Sequence, residues 1–206
     1  SLLQNNANSL GCQNWDMLTN LIEQKKQNVF VFGSGDEDEG YCASAGWTLS
    51  SIEEADLIVS RGTFTINDGT TLISKKENEA EYWTVMEESM FKAAQRKLPM
   101  LVANPDKVRP DEGLPPMPGA IGDTYERFVW TCHCPPEGDM TEEKAREYVK
   151  RIGKPFREVY DIALGDGDRS RAIMIGDALE TDVVGGGTAG VDALWVVNDG
   201  IHGADV

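Results

Sequence analysis

The chain has 206 residues, 40% of them hydrophobic, which is enough for one large domain or two small ones with a buried core. Its 19 Lys and Arg stand against 35 Asp and Glu, a net charge of −16 that repels nucleic-acid backbones and anionic lipid surfaces and keeps a protein in solution. Four cysteines in a chain this long do not make a disulfide scaffold and point to a reduced setting, cytoplasmic or an organelle stroma or matrix rather than secreted.

Residues 1–28 are rich in Asn and Gln and hold no continuous apolar segment, so they read as neither a signal peptide nor a membrane span. The run Asn28-Val-Phe-Val-Phe32, closed by Gly33-Ser-Gly35, predicts a strand, and Asp56-Leu-Ile-Val-Ser60 a second. Between Thr63 and Ser74, two short runs split by Asn67-Asp-Gly69 predict a hairpin. Glu77 to Lys97 reads as a helix, with Trp83, Met86, Met90 and Ala94 on one face. Pro99 ends it and Met100-Leu-Val-Ala103 is the next strand. Arg109 to Gly122, with four prolines and three glycines, reads as a loop.

A second block follows. Asp139-Met-Thr-Glu142 has capping-box spacing ahead of a helix carrying Ala145, Tyr148, Val149 and Ile152 on one face. Pro155 suits the first position of another helix, whose apolar face is Phe156, Val159, Tyr160 and Ala163. Ala172 to Ile175 is a buried-strand run, and Ala193-Leu-Trp-Val-Val197 is the last strand. Strand, helix, strand in this order predicts a parallel crossover.

Two features carry chemistry. After the strand ending at Ile175 come Gly176, Asp177 and, five positions on, Asp182. Ligands in open α/β sheets sit beyond the carboxyl ends of strands, and two carboxylates there suit Mg²⁺. Lys154 stands at the predicted amino end of a helix, where a cation opposes the helix dipole and a bound phosphate would offset that cost. One helix separates this cation from the two acids, a phosphate-plus-Mg²⁺ arrangement.

Gly153-Lys154-Pro155, Gly176-Asp177, Thr181-Asp182 and the Gly-rich helix after them resemble the third and fourth motifs of the haloacid-dehalogenase-like (HAD) hydrolases. The chain is more narrowly similar to their class IIA, the NagD and 4-nitrophenylphosphatase-like group. Val29-Phe-Val-Phe-Gly33 with Ala45-Gly46, Ala55-Asp-Leu-Ile-Val59, Ala103-Asn-Pro-Asp106 and Pro118-Gly-Ala-Ile121 resemble cap segments of that group, in order. The resemblance covers about Asn28 to Gly203. It implies an α/β fold: a partial HAD-like Rossmannoid core of late parallel strands plus an α/β C2-type cap. Residues 1–27 would lie at the core–cap junction, 28–137 would form the cap and 138–206 the C-terminal part of the core. It also implies an Mg²⁺-dependent phosphomonoester phosphatase acting through an aspartyl-phosphate on a small phosphorylated metabolite. Lys154 would neutralise charge at the phosphoryl group, Asp177 would ligate Mg²⁺, and Asp182 would support the metal or orient Lys154. Asn104 and Asp106 are candidate substrate-binding residues, in a loop (Asn104 to Pro118) expected to select the substrate.

The chain departs from the family in one respect. The nucleophile motif, Asp-x-Asp-Gly directly after a strand, is absent; Asp36-Glu-Asp38-Glu-Gly40 imitates it and reads as an exposed acidic loop. The expectation is an incomplete class IIA chain, inactive as it stands, or a non-catalytic binding protein on the same scaffold. An unpaired strand at Ile175 would favour homo-oligomers through that edge or through the cap. Gly185-Gly-Gly187-Thr-Ala-Gly190 fits a dinucleotide fingerprint but lacks the strand it needs, so it reads as helix packing and no cofactor-binding set is assigned. Cys132-His-Cys134, with Cys12, Cys42 and His202 elsewhere, reads as free thiols in a loop rather than zinc ligands. Trp47, Trp83, Trp130 and Trp195 read as packing residues.

Overall fold

The computed structural model describes residues 15–35 and 37–203. In chain order the elements are α1 (Asp16–Glu23), β1 (Asn28–Gly33), α2 (Asp38–Ser44), β2 (Thr48–Leu49), β3 (Leu57–Ser60), β4 (Thr65–Asn67), β5 (Leu72–Ser74), α3 (Glu79–Gln95) and β6 (Met100–Val102). They continue with α4 (Pro118–His133), α5 (Glu142–Arg146), β7 (Val149–Arg151), α6 (Arg157–Leu164), β8 (Ile173–Gly176), α7 (Val184–Ala189) and β9 (Asp192–Trp195). A π-type turn, Leu179–Val183, precedes α7.

Seven strands form the first sheet, ordered β5-β4-β1-β3-β6-β7 with β2 beside β1. β1, β3, β6 and β7 are parallel; β4 alone runs against them, and β5, antiparallel to β4, runs with them again. Successive side chains of a strand face opposite ways, and both faces are covered. That is why β1, β3 and β6 read as unbroken apolar runs. Phe30, Phe32, Ile58, Met100 and Val102 pack under α3 and α4 with Tyr82, Met86 and Tyr125. Val29, Val31, Leu57, Val59 and Leu101 meet Trp15 and Leu18 of the α1 segment on the other side. Burying side chains of this size contributes roughly 1.5–3 kcal/mol each.

The hairpin forms as its Asn-Asp-Gly turn demands: Gly69 sits at φ 83°, and the Asn67 and Asp68 side chains accept from the amides of Gly69, Thr70 and Thr71. α3 follows its periodicity closely. Met86, Met90 and Ala94 are buried, while Trp83 is half-buried beneath the Lys75 ammonium, 4.6 Å from its ring centre.

Three expectations are corrected. The predicted loop to Gly122 ends early, because Pro118 opens the 16-residue helix α4 as a first-turn proline. Gly119 is needed there, since a Cβ would lie 2.1 Å from the Pro105 carbonyl oxygen. Cys132 and His133 consequently lie in the last turn of α4 rather than in a loop. The helix expected through Ile152 stops at Arg146, after the Thr141 side chain has capped it, and Val149–Arg151 becomes a strand on the free edge of β6. The demand of that edge for a partner overrides a short helical periodicity. Residues 149–151 thus share a sheet with residues 28–102, and α1 packs onto that sheet as well.

The second sheet is a parallel pair, β8 and β9, covered on one face by α6 and α7. Its other face leaves Ile173, Ile175 and Leu194 more than half exposed. The Gly-rich segment does pack as a helix: a Cβ on Gly186 would touch Ala193 and Met174 at 3.3 Å.

Candidate active site at the junction of the two sheets

Parallel pairing puts the carboxyl ends of β1, β3, β6 and β7 on one edge, where α/β sheets hold ligands. Ala103-Asn-Pro-Asp106 leaves β6 there, and Ile152-Gly-Lys154 leaves β7. From the second sheet, β8 delivers Gly176 and Asp177, and the π-type turn brings Thr181 and Asp182. The three loops meet at Lys154.

The Lys154 Nζ lies 2.5 Å from Asp182 Oδ1 and 3.4 Å from Asp106 Oδ2. The Asp182 side chain is almost wholly buried, and its Oδ2 accepts from the Ala178 amide at 3.1 Å. Asp106 Oδ1 accepts from the Thr181 hydroxyl at 2.6 Å, a bond that ties the first sheet to the second. Gly176 leaves room for this: a Cβ there would lie 2.1 Å from Asp182 Oδ2. Burial alone would lower the Lys154 pKa, but the hydrogen bond and charge of Asp182 and the charge of Asp106 outweigh it and hold the pKa above its ordinary value of 10.5.

A raised lysine pKa stabilises the fold fully below the ordinary value and ceases to do so as pH climbs through the raised one. The stability gap between wild type and Lys154→Met is therefore expected to stay constant from neutrality to about pH 9.5 and to close above about pH 10.5. Urea denaturation across that range checks this, and a gap that instead widens in alkali would refute the pairing.

Asp177 is clamped by different partners. Its Oδ2 accepts from the Ile201 amide at 3.0 Å, and its carbonyl accepts from Trp195 Nε1 at 3.0 Å. Mg²⁺ asks for oxygen ligands, commonly one or two carboxylates together with water and phosphate. Asp177 can offer Oδ1, whereas both oxygens of Asp182 are engaged. Among the described residues no three of His, Cys, Asp and Glu gather at metal-holding distance. One carboxylate, that of Asp177, is thus what the described residues could offer a magnesium ion here. Asp182 lies directly against Lys154, at 2.5 Å.

The two substrate candidates part company. Asn104 is turned into its own loop, where its Oδ1 accepts from the Asp106 amide at 3.0 Å. Asp106 reaches the ion pair and also lines a cleft of about 340 Å³ with Lys107, Leu114, Thr181, Ile201 and His202. The expected selectivity loop therefore does border the site.

Two acidic features were misread or passed over. Asp38, expected on an exposed loop, is fully buried; Asp36 lies outside the described residues. Its carboxylate accepts from the Ser34 and Gly35 amides and the Thr65 hydroxyl, and pairs with Arg61 at 3.0 Å. Such commitments make it a structural acid rather than a nucleophile. The only sequence signal was Arg61 and Thr65, polar residues at the ends of strands that pair with β1. Asp166-Gly-Asp168 also has two-residue acid spacing, but Asp168 caps a turn at Ser170, at the amino end of β8. Elsewhere, Cys42 is buried and its thiol pushed up to about 12 by burial and by Asp38. His133 bonds the Ala94 carbonyl, Trp130 is more exposed than a packing residue should be, and Cys12 lies outside the described residues.

Residues 151–206 match the HAD-hydrolase-like family model. A 48-residue stretch is 42% identical to the pyrimidine 5'-nucleotidase YjjG of Escherichia coli K12, covering 22% of this chain and 21% of that protein. Among solved structures, a haloacid-dehalogenase-like hydrolase from Brucella suis 1330 aligns with 93% of this chain at 25% identity and a TM-score of 0.55. The p-nitrophenyl phosphatase of Archaeoglobus fulgidus aligns with 91% (21% identity, TM-score 0.53), and NagD of E. coli K-12 with 93% (20%, 0.53). The chain spans 65%, 60% and 63% of those three structures, respectively. Among the described residues no helix is long and apolar enough to cross a membrane. Residues 151–206 are thus similar to the HAD-like hydrolases, and the chain shares its fold with the haloacid-dehalogenase-like hydrolase, p-nitrophenyl phosphatase and NagD structures.

Proposed function

We propose that the protein is the cap and late core of a phosphomonoester hydrolase, with Lys154 as the residue that neutralises the phosphoryl group of a small phosphorylated metabolite. One observation carries this reading: Lys154 is held on Asp182 at 2.5 Å at the carboxyl edge of the first sheet, beside a cleft. A fixed cation that meets developing phosphoryl charge without reorganising is the usual source of catalysis in such sites. Asp182 orients the ammonium, and the Ala178 amide in turn orients Asp182. Asp177 is the residue that would hold Mg²⁺, which when bound supplies a Lewis acid for phosphoryl oxygens. The reaction needs a carboxylate nucleophile in an Asp-x-Asp-Gly setting, and these 206 residues contain none.

That lack favours a second reading, a non-catalytic phosphate-binding protein on the same scaffold. Both readings predict saturable binding of inorganic phosphate by this chain, measured by calorimetry or phosphorus NMR. They also predict no turnover of p-nitrophenyl phosphate with Mg²⁺. Absence of binding would remove both, and robust Mg²⁺-dependent turnover would show that a nucleophile has been overlooked. Restored hydrolysis on supplying a family Asp-x-Asp-Gly segment would select the enzyme.

A further inference from the structure

Lys154 stands between two carboxylates of unequal standing. Asp182 is its close partner, at 2.5 Å, and its side chain is 4% exposed. Asp106 is its distant one, at 3.4 Å; its side chain is 20% exposed and lines the cleft. Lysine has three N–H donors. Asp182 takes one of them, and of the three side chains it is Asp106 that lines the cleft. One ammonium facing two carboxylates leaves the cluster with net charge −1. An anion entering from the cleft therefore meets Asp106 before it meets an unshared cation.

We infer that Asp106 competes with the incoming phosphoryl group for Lys154, and that this carboxylate sets the anion affinity and selectivity of the site. The inference rests on the phosphate reading above and adds a residue to it. The Thr181 hydroxyl bond to Asp106 Oδ1 is what makes the exchange workable. When a phosphoryl oxygen takes the Lys154 donor from Oδ2, Oδ1 stays tethered, and the first sheet keeps its link to the second. No covalent bond changes in this exchange; an ammonium hydrogen bond passes from a carboxylate to a phosphate oxygen.

The test measures inorganic phosphate binding at low ionic strength by wild type, Asp106→Asn, Lys154→Gln and the double variant. Asn keeps an acceptor for Thr181 and deletes only the charge. Glu87→Gln, on α3, controls for the general effect of removing one negative charge. Asp106→Asn is expected to tighten binding about five-fold or more, as loss of a like charge a few ångströms away requires. Glu87→Gln is expected to leave it unchanged. Asp106→Ser repeats the measurement with a shorter neutral side chain, should the Asn protein fold poorly. Binding unchanged or weakened in the neutral variants would overturn the inference. Binding that ignores Lys154→Gln in both backgrounds would instead overturn the phosphate reading itself.

Discussion

Lys154→Gln is expected to abolish saturable phosphate binding, raising the dissociation constant by about 100-fold or more. The substitution removes the cation on which the site turns and leaves Asp106 and Asp182 facing the ligand. Two unit charges 4 Å apart interact by about 4 kcal/mol at an effective dielectric constant of 20, so attraction becomes net repulsion. Some stability goes with it, because Asp182 then keeps a buried charge whose remaining partner is the Ala178 amide. Binding is therefore read on protein whose near-ultraviolet circular dichroism matches wild type. A change below about three-fold would show that phosphate binds elsewhere.

Asp38→Ala carries the second large effect, on stability. The side chain is fully buried, and one change strands the Arg61 guanidinium, the Thr65 hydroxyl and two backbone amides. Breaking a buried pair from one side costs about 3–5 kcal/mol. Arg61 is 18% exposed and can partly recover water, so the lower end of that range is expected. Asp38→Asn, which keeps one acceptor oxygen and so can serve Ser34 or Thr65 but not both, is expected to cost about 1–3 kcal/mol. Urea denaturation measures both. A loss below about 1 kcal/mol for the alanine variant would mean that the pair is dispensable and the acid is held for another purpose. Cys42 offers a parallel readout: beneath Asp38 its thiol is held at about 12, so its reaction with a thiol reagent at neutral pH reports opening of this corner.

The legible parts of the sequence were those in which one local pattern agreed with its surroundings. β1, β3 and β6 are apolar on both faces because both faces are covered, and the Asn67-Asp-Gly69 turn admits little besides a hairpin. Contact between Lys154 and Asp182 was one of two roles that the family resemblance implied for this acid. What escaped was decided at long range. Val149–Arg151 is a strand because β6, about fifty residues earlier, has a free edge. Asp38 looked solvated because its partners arrive from Arg61 and Thr65, more than twenty positions on. The bond from Thr181 to Asp106 spans 75 positions, and no periodicity in either segment announces it. Asn104 and Asp106 are two residues apart, yet one serves its own turn and the other the ion pair. Spacing alone does not separate such neighbours.

The unequal cover of the two sheets bears on how long the ion pair persists. Lys154 is carried by a sheet shielded above and below, whereas Asp177 and Asp182 ride on a two-stranded ribbon with one side bare. Thinly shielded elements open at lower free energy than the molecule as a whole. The anchoring of the cation is thus not matched by that of Asp182 opposite it, and fluctuations of the ribbon are expected to set how often the two groups meet. Any element laid against Ile173, Ile175 and Leu194 would quiet that motion and sharpen the site without touching one of its polar atoms.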